Sequence, residues 1–338
     1  MHRGHKLSCA VFIAVLFLFQ FAASSQVAAS GLPADAAASL QNAIRQYNSG
    51  NFSGAVSTLQ VAVIANPSNA EVAYWLGRSY YELHDYDNAI SNGEKAVELD
   101  PKNSDYHLWL GRAYGGKADR EHSFFLAKKV KKEFEDAVAT NPSNIPARRD
   151  LMEFDMEAPW VVGGNKDEAK AQVDAIAAID PIQGHLARAA YDAALKKQDA
   201  AESEYQQALA AKPKTVDPYF EAANYFVKQN KPTELKAAID GAAAVNPNDP
   251  RLAYYRGVYG VLSTIDPSHS EQDLKSYLAS TPDRSDWPSH AAAREWLGRL
   301  YEAQGKRAEA AEQYRASLQL DPGRKEVKMR LEHLEKSK

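Results

Sequence analysis

A chain of 338 residues with 45% hydrophobic and 25% charged side chains has the composition of a globular protein and enough apolar material for one large or two ordinary cores. Its 40 basic and 44 acidic residues leave it acidic, which argues against a nucleic-acid partner. The single cysteine, Cys9, lies near the start, so the rest of the chain can form no disulfide, use no thiol in catalysis and ligate no metal through sulfur.

The first residues have the three parts of a secretory leader: basic "MHRGHK", apolar "LSCAVFIAVLFLFQFA" and small, polar "ASSQVAAS". The apolar run is short of the ~20 residues that span a bilayer, so a signal peptide over 1–29 is expected, cut after Val27-Ala28-Ala29, with no permanent membrane span left behind. Cys9 sits ahead of the apolar run rather than after it, which excludes it as a lipid-attachment site. Loss of Arg3 and Lys6 leaves 38 bases against 44 acids, a net charge of about −6. Export to the periplasm or the secreted space is the expectation.

Beyond the leader the chain is punctuated by Asn66-Pro67, Asp100-Pro101, Asn141-Pro142, Asp180-Pro181, Lys212-Pro213, Asn246-Pro247, Thr281-Pro282 and Asp321-Pro322. The steps between these prolines are 34, 41, 39, 32, 34, 35 and 40, a 34-residue period with insertions. Each proline lacks the N–H that continues a helix and pushes the residue before it out of the helical region, so each closes a helix. Ahead of them run stretches such as "YDNAISNGEKAVELDP" and "RAEAAEQYRASLQLDP", in which Ala89, Gly93 and Ala96, or Ala310, Tyr314 and Ser317, fall at helical spacing; the small residues permit close helix approach. Further upstream are the near-copies "YWLGRSY" (Tyr74 to Tyr80), "LWLGRAY" (Leu108 to Tyr114) and "EWLGRLY" (Glu295 to Tyr301).

Two segments break the regularity. "HSFFLAKKVKKEFEDAVA", from His122, places Leu126, Val130, Phe134 and Val138 on one helical face and Lys128, Lys129, Lys131 and Lys132 largely off it, so a solvated basic face is expected; Phe124 and Phe125 at its start leave a membrane-surface or acidic-partner site as the other reading. "MEFDMEAPWVVGGNKDEA", from Met152, sets Pro159 and Gly163-Gly164 around Trp160, Val161 and Val162, a turn about five residues longer than "NSGN" at 48–51 or "AQGK" at 303–306. Met156, Trp160, Val161 and Val162 are expected to tuck against the neighbouring unit, because large exposed apolar patches are unusual on a monomer.

The Leu-Gly-Tyr first-helix motif, the paired alanines and the closing proline resemble the tetratricopeptide repeat family, most fully over 70–103 and 291–324 and only in outline over 182–215 and 250–283. The resemblance implies an all-α, right-handed α-solenoid over 30–324. It has eight helix-turn-helix units starting near 36, 70, 104, 145, 182, 216, 250 and 291. A helix within 325–338, apolar at Val327, Leu331 and Leu334, caps the open end. It further implies a concave groove of first helices that holds a protein or peptide, with Tyr74, Trp75, Arg78, Tyr81, Leu108, Arg112 and Arg149 toward it; Trp160 joins them as a candidate at a binding edge on the other reading of its turn, exposed rather than tucked. Arg78 and Arg112 recur one repeat apart; they either grip an acidic ligand or pair with carboxylates next door. The Lys and Asn clamp with which some family members hold peptide C-termini is not reproduced. The turn at Ala158-Pro159 also resembles one in exported bacterial repeat proteins.

Catalytic and phosphate-binding motifs are missing, "GGKADR" being only a fragment of a phosphate loop, and the histidines beyond the leader show no ligand spacing, so neither cofactor nor metal is expected. A non-catalytic interaction scaffold of the envelope or secreted space follows. The alternatives are a subunit of an envelope assembly complex, or an enzyme built around Asp155 and Glu157 in the long third and fourth units. The ladder leaves no unassigned stretch of ~50 residues for a separate catalytic domain.

Overall fold

The computed structural model describes residues 34–336; the leader at 1–29 lies outside them. Among the described residues there are seventeen α-helices, a single 3-10 turn and no strand. None of these helices is long and apolar enough to cross a membrane. Contacts divide the chain into two units, Met1–Glu204 and Tyr205–Lys338.

The first unit holds four complete helix pairs: α1 (Ala34–Asn48) with α2 (Phe52–Ala65), α3 (Ala70–Glu82) with α4 (Tyr86–Leu99), α5 (Ser104–Glu121) with α6 (Phe124–Thr140), and α7 (Ile145–Glu157) with α8 (Lys166–Ile179). Then come α9 (Pro181–Ala194) and the start of α10 (Gln198–Ala210). The second unit continues with α11 (Asp217–Lys228), α12 (Pro232–Val245), α13 (Arg251–Ser263), α14 (Pro267–Ser280), α15 (His290–Ala303), α16 (Arg307–Leu320) and α17 (Lys325–Lys336). Within the units, α1 through α9 and α11 through α17 each pack on the next helix in sequence. In the first unit the first helices of successive pairs also touch: α1 on α3, α3 on α5, α5 on α7, α7 on α9. First helices therefore form a continuous layer there.

Local chemistry explains the boundaries. Asn69, Asn103 and Asn144 cap α3, α5 and α7, each side-chain oxygen accepting from a first-turn N–H. At the first closing proline Asn66 still donates to the carbonyl four back, Ala62, at 2.9 Å, and its own carbonyl then accepts from the next cap, Asn69, at 3.2 Å. The same four-residue turn recurs at 100–103, 141–144 and 246–249. Asp180-Pro181 departs from it: Asp180 ends α8 and caps α9 with its carboxylate on the Gln183 N–H at 3.0 Å, so Pro181 opens a helix at the position where its missing N–H costs nothing.

Close approach within a pair rests on glycine. A Cβ on Gly298 of α15 would lie 2.4 Å from the Tyr314 ring of α16, and one on Gly111 of α5 would lie 2.5 Å from Phe134 of α6. Val130, Phe134 and Ala137 of α6 are buried and Leu126 and Val138 half-buried, which is the face read from their spacing. Terminal α17 packs on α16 through buried Val327.

Candidate functional site: the face of α3, α5 and α7

Helix spacing puts Tyr74, Arg78 and Tyr81 on one side of α3, and tertiary packing then gives the two repeated arginines different surroundings. Arg78 sits in a cage of aromatic rings, its guanidinium carbon 4.7 Å from the Tyr47 centroid, 5.4 Å from Tyr74, 4.5 Å from Trp75 and 4.1 Å from Trp109. It donates to the hydroxyls of Tyr74 at 3.1 Å and Tyr47 at 3.2 Å, and Tyr47 donates on to buried Glu82 at 2.8 Å. A desolvated cation over such rings gains about 2 kcal/mol per good contact. Arg112 instead forms a buried two-pronged pair with Asp150 of α7, Nε to Oδ2 at 2.6 Å and Nη2 to Oδ1 at 3.3 Å. Its Nη1, equally buried, has no hydrogen-bond partner. The neighbour-pairing reading therefore holds for Arg112, and neither arginine offers an exposed guanidinium to an acidic ligand.

Leu108 is 2% exposed, in the core with Val130, Phe134 and Leu151, and Arg149 is buried on α7. Trp75 is half-buried, edge-on to Tyr47 and Tyr74. Trp109 was not singled out from sequence, although it is the ring that joins the two arginines, 4.1 Å from Arg78 and 4.7 Å from Arg112. Its place beside Leu108 in the second copy of the repeated motif was the available signal.

Tyr81 brings the face to a cleft of about 120 Å³ between α5 and α7. Arg112, Gly115, Gly116 and Asp119 of α5 line one wall and Asp150, Glu153, Phe154 and Glu157 of α7 the other, both at i, i+3, i+4 and i+7; Tyr81 and Tyr86 close an end. "GGKADR" is thus the C-terminal part of α5 and no phosphate loop. Two glycines inside a helix cost roughly 1 kcal/mol each relative to alanine. At Gly116 the reason is steric, since a Cβ would lie 2.4 Å from the Tyr86 ring. Burial pushes the hydroxyls of Tyr81 and Tyr86 above the ordinary tyrosine value, so both stay protonated. Asp119 and Phe154 also border a smaller apolar hollow with Phe124, Val130, Pro159 and Val162.

The long turn divides where tucking was expected throughout. Val162 is buried, Met156 half-buried, Val161 exposed and Trp160 86% exposed. Residues 160–162 form a 3-10 turn, whose successive side chains point about a third of a revolution apart, so only one of the three can face α6. Gly163 follows at φ +108°, and Gly164 has the Ala158 carbonyl 1.8 Å from where a Cβ would be. Lys131 fastens the turn. Its ammonium donates to Asp155 at 3.0 Å, to the Gly163 carbonyl at 2.6 Å and to Glu168 at 2.6 Å, which corrects the expectation of a wholly solvated lysine face. Burial raises Asp155 to about 6 against the opposing pull of Lys131, and its Oδ2 has no hydrogen-bond partner.

His107, Glu133 and Asp136 form the one group among the described residues whose donor atoms lie close enough together for a metal. The imidazole is already engaged on both sides, Nδ1 with Glu133 at 2.7 Å and Nε2 with the Pro101 carbonyl at 3.0 Å, which suits an imidazolium holding α5, α6 and the preceding turn together. The Glu133 hydrogen bond raises the pKa of His107, with burial opposing. A raised folded value contributes stability that is full below the unfolded value, ~6.5, and is lost as pH rises through the folded value. His107→Gln should therefore cost roughly 1–2 kcal/mol at pH 6 and less at pH 8.5, read from urea unfolding at both.

Stacked helix pairs with a layer of first helices define a helical repeat protein with a cleft sized for one side chain. The Tetratricopeptide repeat family model matches residues 23–104, 77–117 and 272–325. The chain is a tetratricopeptide repeat protein. Among solved structures it is similar to a chain of the APC/C hetero-tetramer Cut9-Hcn1, with 12% identity over 88% of this chain and 55% of that one at TM-score 0.51, a likeness of fold alone. It is also similar to a thermophilic TPR protein of Thermus thermophilus (19% identity, 68% of this chain and 99% of that one, TM-score 0.46). A tetratricopeptide repeat protein from Parabacteroides merdae matches at 13% identity over 88% of this chain and 98% of that one, TM-score 0.47. No curated protein sequence matches the chain.

Proposed function

We propose that this chain, in keeping with the protein–protein interactions that tetratricopeptide repeat proteins generally mediate, is a non-catalytic scaffold that holds a segment of another protein against the face of α3, α5 and α7, and that it works after export, in the envelope or the secreted space. The observation that carries the reading is the α5–α7 cleft, a place on the layer of first helices where two helical stripes stand apart over a pair of glycines. At about 120 Å³ it is below the ~300–1,000 Å³ of small-molecule sites and suits one side chain of a larger ligand. The leader-like 1–29 segment and the lack of cysteine after Cys9 support the location.

A photo-crosslinking residue at Glu157, beside the cleft, should yield a discrete protein adduct in the native host, whereas the same residue at exposed Glu98 on α4 should not. Adducts from Glu98 alone, or from neither position, contradict the scaffold reading. The mass of the protein recovered from an envelope fraction checks export; an intact N-terminus in the cytoplasm contradicts it.

A further inference from the structure

The two insertions into the 34-residue period add chain at the same edge of the first unit. Helices α3 and α5 each begin three residues after a closing proline, Pro67 or Pro101, so the 18 residues of α5 outrun the 13 of α3 at the C-terminal end. Helices α4 and α6 each stop two residues before the next closing proline, so the 17 residues of α6 outrun the 14 of α4 at the start. The third pair therefore stands ~5–7 Å taller at its own turn, His122-Ser123. The long turn of the fourth pair comes beside it, since Ser123 and Phe124 share one hollow with Ala158, Pro159 and Val162. The added side chains at this edge are apolar and uncovered: Trp160 is 86% exposed, Phe125 70%, Phe124 54% and Val161 51%.

A projecting ring and an open socket stand side by side here. Val162 anchors the turn in the core and Lys131 fastens it through Asp155, the Gly163 carbonyl and Glu168, so Trp160 is held out in a fixed place rather than on a loose loop. Next to it the hollow bordered by Phe124, Val130, Phe154 and Val162 has a volume of about 40 Å³, roughly three waters, which admits the edge of one ring. A surface bearing both parts is complementary to itself: about a two-fold axis, the ring of each copy meets the hollow of the other. The rim charges suit the same occupant. Lys117 and Arg120 lie against Asp87 and Glu121, Lys129 against Glu94, Lys131 against Asp155 and Glu168, and Lys132 against Asp136. Internally balanced charges let two identical surfaces meet without repulsion, whereas an anionic lipid surface or an acidic protein would need a cluster of open cations. Three aromatic side chains of about 150–250 Å² each, exposed to these extents, present with Val161 roughly 400–500 Å² per copy. Two copies together approach the ~1,000 Å² at which a specific interface begins.

We propose that this edge, made by the end of α5, the start of α6 and the 158–165 turn, joins two copies of the chain in a two-fold dimer. Trp160 of each copy enters the hollow between Phe124, Phe154 and Val162 of the other, and Phe125 and Val161 close around it. Such pairing is independent of whether the α5–α7 cleft holds a ligand.

The test is sedimentation velocity between 1 and 300 μM on the protein expressed from the full chain, as its host processes it. The wild type should pass from monomer to dimer over that range and go no further, with a midpoint unchanged or lower when salt rises from 50 to 500 mM. Trp160→Ser should raise the midpoint at least tenfold, as loss of a tryptophan seated in a pocket does at an interface, and Phe125→Ser should raise it several-fold. Ile64→Ser, which removes a comparably exposed apolar side chain from α2, should leave it unchanged. Circular dichroism and urea unfolding of the three variants should match the wild type, because none of these side chains is buried. A monomer throughout, assembly beyond a dimer, or a dimer that Trp160→Ser leaves intact overturns the assignment. So does a monomeric wild type that co-sediments with phosphatidylglycerol vesicles and is released from them by Trp160→Ser, since lipid would then be the occupant. In each of these cases the scaffold reading still stands or falls by the adduct at Glu157.

Discussion

Arg112→Ala should destabilise the first unit by about 3–5 kcal/mol, the largest single effect expected in this protein. The loss is only partly that of an attraction. Asp150 is 6% exposed, and without the guanidinium its carboxylate stays buried and uncompensated. Asp150→Ala should cost a similar amount for the converse reason. The double replacement Arg112→Met, Asp150→Leu removes both charges and both desolvation penalties, and should be substantially more stable than either single variant. In helical repeats each pair is stabilised mainly by its neighbours, so the damage should centre on α5 and α7, with amide hydrogen exchange rising there first. Urea unfolding followed by circular dichroism gives the magnitudes. Single variants within 1 kcal/mol of the wild type, or a double variant as unstable as the sum of the two, would show that this pair does not hold the helices together.

The second large effect is expected at Lys131. Its ammonium holds Asp155 at the end of α7, the Gly163 carbonyl and Glu168 at the start of α8, and so closes the long turn from one point on α6. Lys131→Met keeps the aliphatic stem and removes the charge, leaving the Asp155 carboxylate buried. The cost should be about 2–4 kcal/mol at pH 8, where that carboxylate is ionised, and clearly smaller at pH 5, where it can take up a proton.

The sign in the wild type follows from the raised value of Asp155, about 6 against the ordinary 3.8. Its contribution is full below pH 3.8 and is lost as pH rises through about 6, so stability declines across that window. The His107 contribution declines too, above ~6.5, and the two can be separated by pH. Lys131→Met should push the Asp155 value higher and enlarge its loss; adding Asp155→Asn should remove that pH dependence. Hydrogen exchange over 158–165 should rise in Lys131→Met. If exchange there is unchanged, Gly163 and Gly164 hold the turn without the lysine.

The helices themselves were legible in the sequence because their causes are local. A proline acts on its own and the preceding residue, an Asn or Asp cap acts three residues on, and an apolar stripe repeats within four. The ladder of prolines, the "LGR" copies and the paired alanines carry the tetratricopeptide resemblance, and that resemblance implied an all-α protein of eight helix pairs with a further helix after them.

What those patterns could not determine is the fate of a residue whose partner is distant. Arg78 and Arg112 have near-identical local sequence, yet one is caged by Tyr47, 31 residues before it, and the other is paired with Asp150, 38 residues after it. Lys131 read as one of four solvated lysines because Glu168, 37 residues on, and the Gly163 carbonyl meet it only once α6, α7 and α8 have packed. Trp160 and Val162 are two residues apart in one apolar run, and the pitch of a 3-10 turn sends the first to solvent and the second to the core. By itself the sequence determined the elements and their order. Only the tertiary structure decided which charges are buried, which rings are exposed, and that α5 and α7 stand apart over a cleft, because desolvation and charge pairing depend on neighbours that the stacking of helices supplies.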